Sequence, residues 1–283
     1  MWFSEKALVF VDTRSAALAV YREGLSGPRL ERFASERFAS RASGGDLFKD
    51  VLADSKDAVA RLSRELRAPS RDATLLLPLG SSFPSIVDVS ALRKAQSPEV
   101  EEADLVRFRL APLLPFPIAL SEVRSEPSSS LRGGAVLAQA VLKTTIAEGE
   151  TMMASLGFGR PRVTSSLSAA LRGLPPQPGA VDLIFGDSAC AIVVRDALGS
   201  MDAIHLRLLV PGDDRGQRSL DEALRAASEV SRIRVLGEDA ASLRGKAENV
   251  VIQPAFDAPG PGVGAADPQR FPFLSLFHAS ASK

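Results

Sequence analysis

An α/β protein of two similar lobes is the fold class this sequence predicts, and three observations predict it. The chain has 283 residues with a hydrophobic share of 45%, enough for a sizeable buried core and too apolar for a disordered chain. Short aliphatic and β-branched runs alternate with longer stretches whose apolar residues recur at steps of three and four. The order of these elements, a strand meander, then a helix, then a strand, comes round again in the second half.

The first half opens with Lys6 to Thr13 and Ser15 to Arg22, two strands across a tight turn, and Pro28 to Ser35 adds a third to an antiparallel meander. Asp46 opens a helix that carries Leu47, Phe48, Val51, Leu52, Val59, Leu62 and Leu66 on one face. Ala73 to Leu77 suits a central strand and Ser85 to Val89 a further one. Ser97-Pro98-Glu99 starts a helix, because serine caps, proline fits the first turn and the following acids complement the dipole; Pro112 limits it. Ala119 to Ser125 and Ala135 to Leu142 read as strands. A helix from Thr145 to Leu156 follows, with Thr145 and Glu148 at capping-box spacing.

The second half begins after Pro175-Pro176-Gln177-Pro178. Val181 to Phe185, Cys190 to Arg195 and Ala203 to Leu209 form the new meander. Ser219 and Glu222 make a second capping box for a helix with Leu220, Leu224, Ala227 and Val230 inward. Ile233 to Leu236 and Val250 to Ile252 are short strands. Residues 257–268 read as a Pro/Gly-rich linker, and Phe271, Phe273, Leu274, Leu276 and Phe277 as an apolar tail.

Composition narrows function mainly by exclusion. With 34 basic and 34 acidic residues the chain has no global attraction for nucleic acid. Its one cysteine, Cys190, rules out an intrachain disulfide and, among Ala189, Ala191 and Ile192, reads as a small buried hydrophobe. No apolar window reaches about 18 residues, and Met-Trp-Phe-Ser-Glu-Lys lacks the order of a signal peptide. The expectation is a protein that reaches a membrane through a partner or a surface patch. No Cys/His cluster has metal-ligand spacing. Gly186-Asp187-Ser188-Ala189-Cys190 resembles a serine hydrolase turn, but the available bases are His205, in an apolar strand, and His278, in the tail. Gly157-Phe158-Gly159 follows a helix and completes no dinucleotide fingerprint.

One stretch points further. In Glu99 to Pro117, EVEEADLVRFRLAPLLPFP, an acidic helix breaks into Pro115-Phe116-Pro117, which feeds a strand at Glu122-Val123. Each proline fixes its own φ and keeps the preceding residue out of the helical region, so this is a stiff extended connector with Phe116 available to a core. Ala73 to Phe83 precedes it as a strand and proline turn; Val136 to Leu174 follows as strand, long helix, short strand and helix. In this order the chain resembles the pilus-assembly PilM family and the cytoplasmic part of the secretion protein GspL, over its length to about residue 255. The resemblance implies an α/β, two-lobed actin-like (ribonuclease H-like) fold. Residues 1–178 would form a first lobe containing a small inserted subdomain at about 85–142, residues 179–256 a reduced second lobe, and 257–283 the linker and tail.

Actin-like ATPases hold phosphates in two glycine-bearing hairpin turns, where small residues let backbone N–H groups approach closely. Here Asp12-Thr13-Arg14-Ser15 lacks the expected glycine, with Arg14 near its place. Gly186-Asp187-Ser188 is shorter than the family's second turn, and the adenosine-binding glycines are reduced to Gly237. Asp12, Ser15, Gly186, Asp187 and Gly237 are therefore the residues of a degenerate nucleotide site. Leu209 passes through Pro211-Gly212-Asp213-Asp214 directly to the Ser219 helix, which implies a truncated second lobe without the family's outer subdomain. No cofactor is expected, with weak binding of ATP and magnesium as the exception.

The resemblance further implies a cytoplasmic scaffold, peripheral to the inner membrane, in a type IV pilus or type II secretion platform. Its partner would be the cytoplasmic tail of a bitopic, PilN-like inner-membrane protein, bound near Leu113, Leu114 and Phe116; the assembly ATPase of the same machine is a second expected partner. An actin-fold ATPase that still binds ATP, and an unrelated α/β binding protein, stand as alternatives.

Overall fold

The computed structural model describes residues 4–24, 27–38, 47–69, 71–90, 101–126, 131, 134–209, 214–226, 230–238, 240–243, 250–256 and 271–278. Among these residues the chain forms three sheets, two of which have the same plan. Strands β1 (Glu5–Val11), β2 (Ser15–Gly24) and β3 (Gly27–Arg37) make an antiparallel meander. Strands β4 (Ala73–Leu77) and β8 (Arg162–Ser165) then add in parallel on the other side of β1, giving the order β3-β2-β1-β4-β8. The second lobe repeats this with β9 (Ala180–Phe185), β10 (Ala189–Arg195), β11 (Met201–Leu208), β12 (Arg232–Leu236) and β13 (Val251–Pro254), in the order β11-β10-β9-β12-β13. Both central strands, β1 and β9, are buried on both faces, so apart from Glu5 and Lys6 at the start of β1 and Asp182 in β9 they are apolar throughout rather than alternating.

Two helices cover one face of the first sheet. Helix α1 (Leu47–Glu65) turns Val51, Leu52, Val59 and Leu62 inward, and α3 (Lys143–Ser155) adds Ile146, Met152 and Met153 to the same cluster. On the opposite face lies α4 (Ser166–Gly173), capped by the Ser165 hydroxyl, which accepts from the Leu167 N–H. In the second lobe α5 (Arg215–Ala226) buries Leu220 and Ala223 against Val181, Leu183 and Ile192.

Between β4 and α3 the chain makes a separate small unit. Strands β5 (Ser82–Asp88), β6 (Ser121–Glu126) and β7 (Ala135–Leu142) form an antiparallel sheet in the order β5-β7-β6, packed on helix α2 (Glu102–Leu110). β7 is buried on both sides because it faces two ways. Val136, Ala138 and Ala140 meet Leu105, Val106 and Leu110 of α2, while Leu137 joins Ile204 of the second lobe. The unit thus also contacts the second lobe.

Several local expectations need correction. The apolar tail folds back onto the first lobe: Phe271, Phe273, Leu274 and Phe277 are buried against Phe10, Ala17, Ala19, Leu30 and Ala169. Phe273 stacks on Phe10 at a centroid distance of 5.1 Å, and the Ser275 hydroxyl donates to the Ala170 carbonyl. The short helix α6 (Ser275–His278) closes this segment. Neither capping box forms. β7 runs straight into α3, whose N-cap is Leu142, so Thr145 lies inside the helix. Asp214 takes the cap of α5, its carboxylate accepting from the Gln217 N–H at 2.9 Å, which leaves Ser219 buried one turn further in. An aspartate there is a strong cap, and its charge also suits the positive end of the helix dipole. Residues 118–120 form a 3-10 turn, so β6 starts at Ser121. Asp46, the Ser97-Pro98-Glu99 start, Ala227 and the 257–268 linker lie outside the described residues.

Candidate functional site

The two meanders bring their first turns face to face. Each turn is closed in the same way: the Asp12 N–H donates to the Ser15 carbonyl and the Gly186 N–H to the Ala189 carbonyl, both at 2.8 Å. Asp12 therefore occupies in the first lobe the position that Gly186 occupies in the second. Both turns sit at the carboxyl end of a central strand, β1 or β9, where the strand carries them to the cleft between the lobes.

Across that cleft the turns bond reciprocally. Asp12 is 1% exposed. Its Oδ2 accepts from the Asp187 N–H at 2.8 Å, and its Oδ1 accepts from the Thr13 N–H at 2.8 Å and the Ser188 hydroxyl at 3.3 Å. In return, Asp187 Oδ2 accepts from the Ser15 hydroxyl at 2.9 Å and the Arg14 N–H at 3.2 Å. Burial, and next the charge of Asp187, push the Asp12 carboxyl up to about 7, against the pull of its three donors. Gly186 is the residue that admits it: a Cβ there would stand 2.8 Å from Asp12 Oδ2 and 3.3 Å from Leu79 Cδ1.

Four of the five residues read as a degenerate nucleotide site, Asp12, Ser15, Gly186 and Asp187, thus come together in one place. Gly237 belongs to a different contact. Its φ is +83°, and a Cβ would lie 2.1 Å from the Phe185 carbonyl oxygen and 2.8 Å from Pro272 Cγ. The space against this glycine is filled by β9 and by the returning C-terminal segment. The residues do not fit a nucleotide phosphate as they stand: the backbone and hydroxyl donors of both turns already face protein carboxylates, and a phosphate would meet two like charges. Among the described residues, no group of three or more His, Cys, Asp and Glu is placed to hold a metal ion.

Among the described residues, no histidine bonds to the hydrolase-like turn. The Ser188 hydroxyl points to Asp12, and His205 is exposed on β11 opposite Ile192, not packed in the core where its apolar strand suggested. Cys190 is buried, in keeping with its apolar neighbours.

A second candidate surface lies on the inserted unit. An open groove of about 1050 Å³ runs between β5 and the end of α2, lined by Ile86, Asp88, Phe108, Arg109, Pro112 and Leu113. Phe108 and Leu113 are 72% and 62% exposed, unusually so for large apolar side chains on neighbouring turns. Of the three residues read as a partner site, only Leu113 lines this groove. Leu114 packs on the unit's own core, and Phe116 is half-buried with its ring edge-on to Phe83 at 4.9 Å. The prolines explain the split, since they rotate successive side chains out of helical register. Sequence reasoning did not single out Phe108, which lies three positions after the buried Leu105 on α2.

Sequence reasoning also missed a buried ionic cluster. Asp182 in β9 accepts from Arg195 Nε at 2.7 Å and Arg234 Nε at 2.5 Å, all three side chains being at most 3% exposed. The arginines donate onward to the carbonyls of Gly199 and Pro175, which ties the lobe connection to the second sheet. A charged residue inside the apolar run VDLIF was the available signal.

No family model matches the sequence, and no curated protein relative is found for it. Solved structures do match. A PilM-PilN type IV pilus biogenesis complex superposes with a TM-score of 0.59 at 16% identity, over 99% of this chain and 98% of that one. A Bacteroides thetaiotaomicron protein described as having an actin-like ATPase fold and unknown function gives 0.55 at 10% identity, over 84% and 85%. This chain has the actin-like fold. The cytoplasmic domain of EpsL, an inner membrane component of the type II secretion system of Vibrio cholerae, gives 0.54 at 12% identity, over 99% and 95%. Identities this low speak for the fold. Within the actin-like fold, the facing turns are the ends of the two equivalent β1–β2 and β9–β10 hairpins, and β5–β7 with α2 are the insertion in the first lobe. β11 ends at Leu208 and α5 begins at Arg215; Pro211-Gly212-Asp213, on which the expectation of a truncated second lobe rests, lie outside the described residues. Among the described residues, no helix is long and apolar enough to cross a membrane.

Proposed function

We propose that this protein is a cytoplasmic scaffold of a type IV pilus or type II secretion platform, and that it docks the cytoplasmic tail of a bitopic inner-membrane protein on its inserted unit. The observation that carries the reading is the groove flanked by exposed Phe108 and Leu113. Two apolar anchors beside an open channel suit an extended or helical peptide that brings its own apolar side chains. Likeness in fold to a PilM-PilN complex and to the EpsL cytoplasmic domain supports the choice of occupant. Association with the membrane would then be indirect, through that tail. The facing carboxylates at the lobe cleft support a scaffold that does not turn over ATP.

A synthetic cytoplasmic-tail peptide of a PilN-like bitopic protein is expected to bind at roughly micromolar strength, about −8 kcal/mol. Leu113→Asp should weaken it at least about tenfold while moving stability by no more than about 0.5 kcal/mol, as befits an exposed position. Fluorescence anisotropy with the labelled peptide measures this. Unchanged affinity in both Leu113→Asp and Phe108→Asp would remove the groove from the reading. Calorimetry with Mg-ATP is expected to show no binding in the micromolar range; a micromolar dissociation constant would favour an ATPase.

A further inference from the structure

We propose that the two hairpin turns clasp one another in place of a phosphate ligand, so that the lobes of this protein are held closed by its own carboxylates, Asp12 and Asp187. The exchange is mutual. The first turn offers an N–H and a hydroxyl, from Arg14 and Ser15, and the second lobe fills them with Asp187. The second turn offers an N–H and a hydroxyl, from Asp187 and Ser188, and the first lobe fills them with Asp12. Donors of this kind in paired turns form an anion-binding concavity. Each acid sits where the other lobe's turn would otherwise receive an external anion.

The placement of the acids makes the pairing possible. They stand one position apart in otherwise equivalent turns, so Asp12 faces Gly186 and does not meet Asp187 head-on. Gly186 serves this arrangement: its missing side chain leaves room for Asp12, whose Oδ2 would otherwise lie 2.8 Å from a Cβ. This inference does not depend on the docking groove, which lies on the inserted unit.

The clasp has a defined response to acid. The charged group facing Asp12 is Asp187; Thr13, Gly186 and Ser188 bring no charge, Leu79 is apolar, and the Arg14 side chain is exposed. Because the Asp12 carboxyl lies above its ordinary 3.8 in the clasped state, that state holds the proton more tightly than an opened, hydrated one. This contribution is complete below about pH 4 and is lost as pH rises through about 7.

Residue-resolved amide hydrogen exchange on the full chain tests the proposal. In Asp187→Ala the Arg14 amide should lose protection by about tenfold or more, as expected when a charged acceptor is removed, while β1 and β9 interior amides keep theirs. Asp187→Asn, which keeps an acceptor oxygen, should restore most of the protection. In Asp12→Asn, protection at the turns should cease to fall between pH 4 and 7 relative to intrinsic exchange. Unchanged Arg14 protection in Asp187→Ala overturns the clasp. Asp187 is half-exposed, so this variant decides the matter even if the buried Asp12 variant fails to fold.

Discussion

The two lobes share a strand order and a turn, and differ in how each is completed. The first-lobe turn reads Asp12-Thr13-Arg14-Ser15, with its acid at the first position; the second reads Gly186-Asp187-Ser188-Ala189, with its acid at the second. That single offset converts two similar hairpins into complementary halves of one contact. The cores differ as well. The first sheet is covered on one face by a segment from the far end of the chain, Phe271 to Phe277. The second carries Asp182 between two arginines within its own sheet. A common backbone plan therefore leaves open which residues close the core, and here the answers are aromatic stacking in one lobe and buried charge in the other.

Substitutions that exploit this difference should rank clearly. Asp182→Ala is expected to be the most damaging, because it strands two buried guanidinium groups; about 3–5 kcal/mol should be lost in urea denaturation. A loss below about 1 kcal/mol would mean that Arg195 and Arg234 reach water when released. Phe273→Ala attacks the first lobe's solution and should cost about 3 kcal/mol, toward the lower end for such a truncation, since the Phe10 and Phe271 rings can partly close the space. A differential effect on first-lobe amides in hydrogen exchange would show that the lobes respond separately.

Gly186→Ala should be milder, about 1–2 kcal/mol, because its Cβ would press on Asp12. The same change made with Asp12→Gly should cost little, and the difference between the two backgrounds measures the contact directly. Equal cost in both would mean that Leu79, not Asp12, is what the glycine spares.

The local elements were legible in the residues. Lys6 to Thr13, Ala73 to Leu77 and Val181 to Phe185 are short, largely apolar runs bounded by turn residues, which read as strands, the second of them as a central one. The turn acids Asp12 and Asp187 were singled out through the family resemblance, since the residues alone mark only a turn after each strand. Pro115-Phe116-Pro117 marked a break that no helix or inner strand tolerates, while the inserted unit around it was implied by the family resemblance and not by these residues. Caps were read less well: Thr145 and Ser219 have the right spacing, but the chain entering each helix decides which residue sits at its start.

What the linear pattern could not supply was the pairing of distant parts. Residues 12 and 187 are brought together by two hairpins that meet only when the lobes do, and residues 182, 195 and 234 by three strands of one sheet. The tail could be read only as apolar, because its partners, Phe10 and Phe33, lie more than two hundred residues earlier. Periodicity reports only which face of an element is apolar. Which surface that face will meet, and whether a polar group will find its counterpart there, is set by the packing of the whole chain.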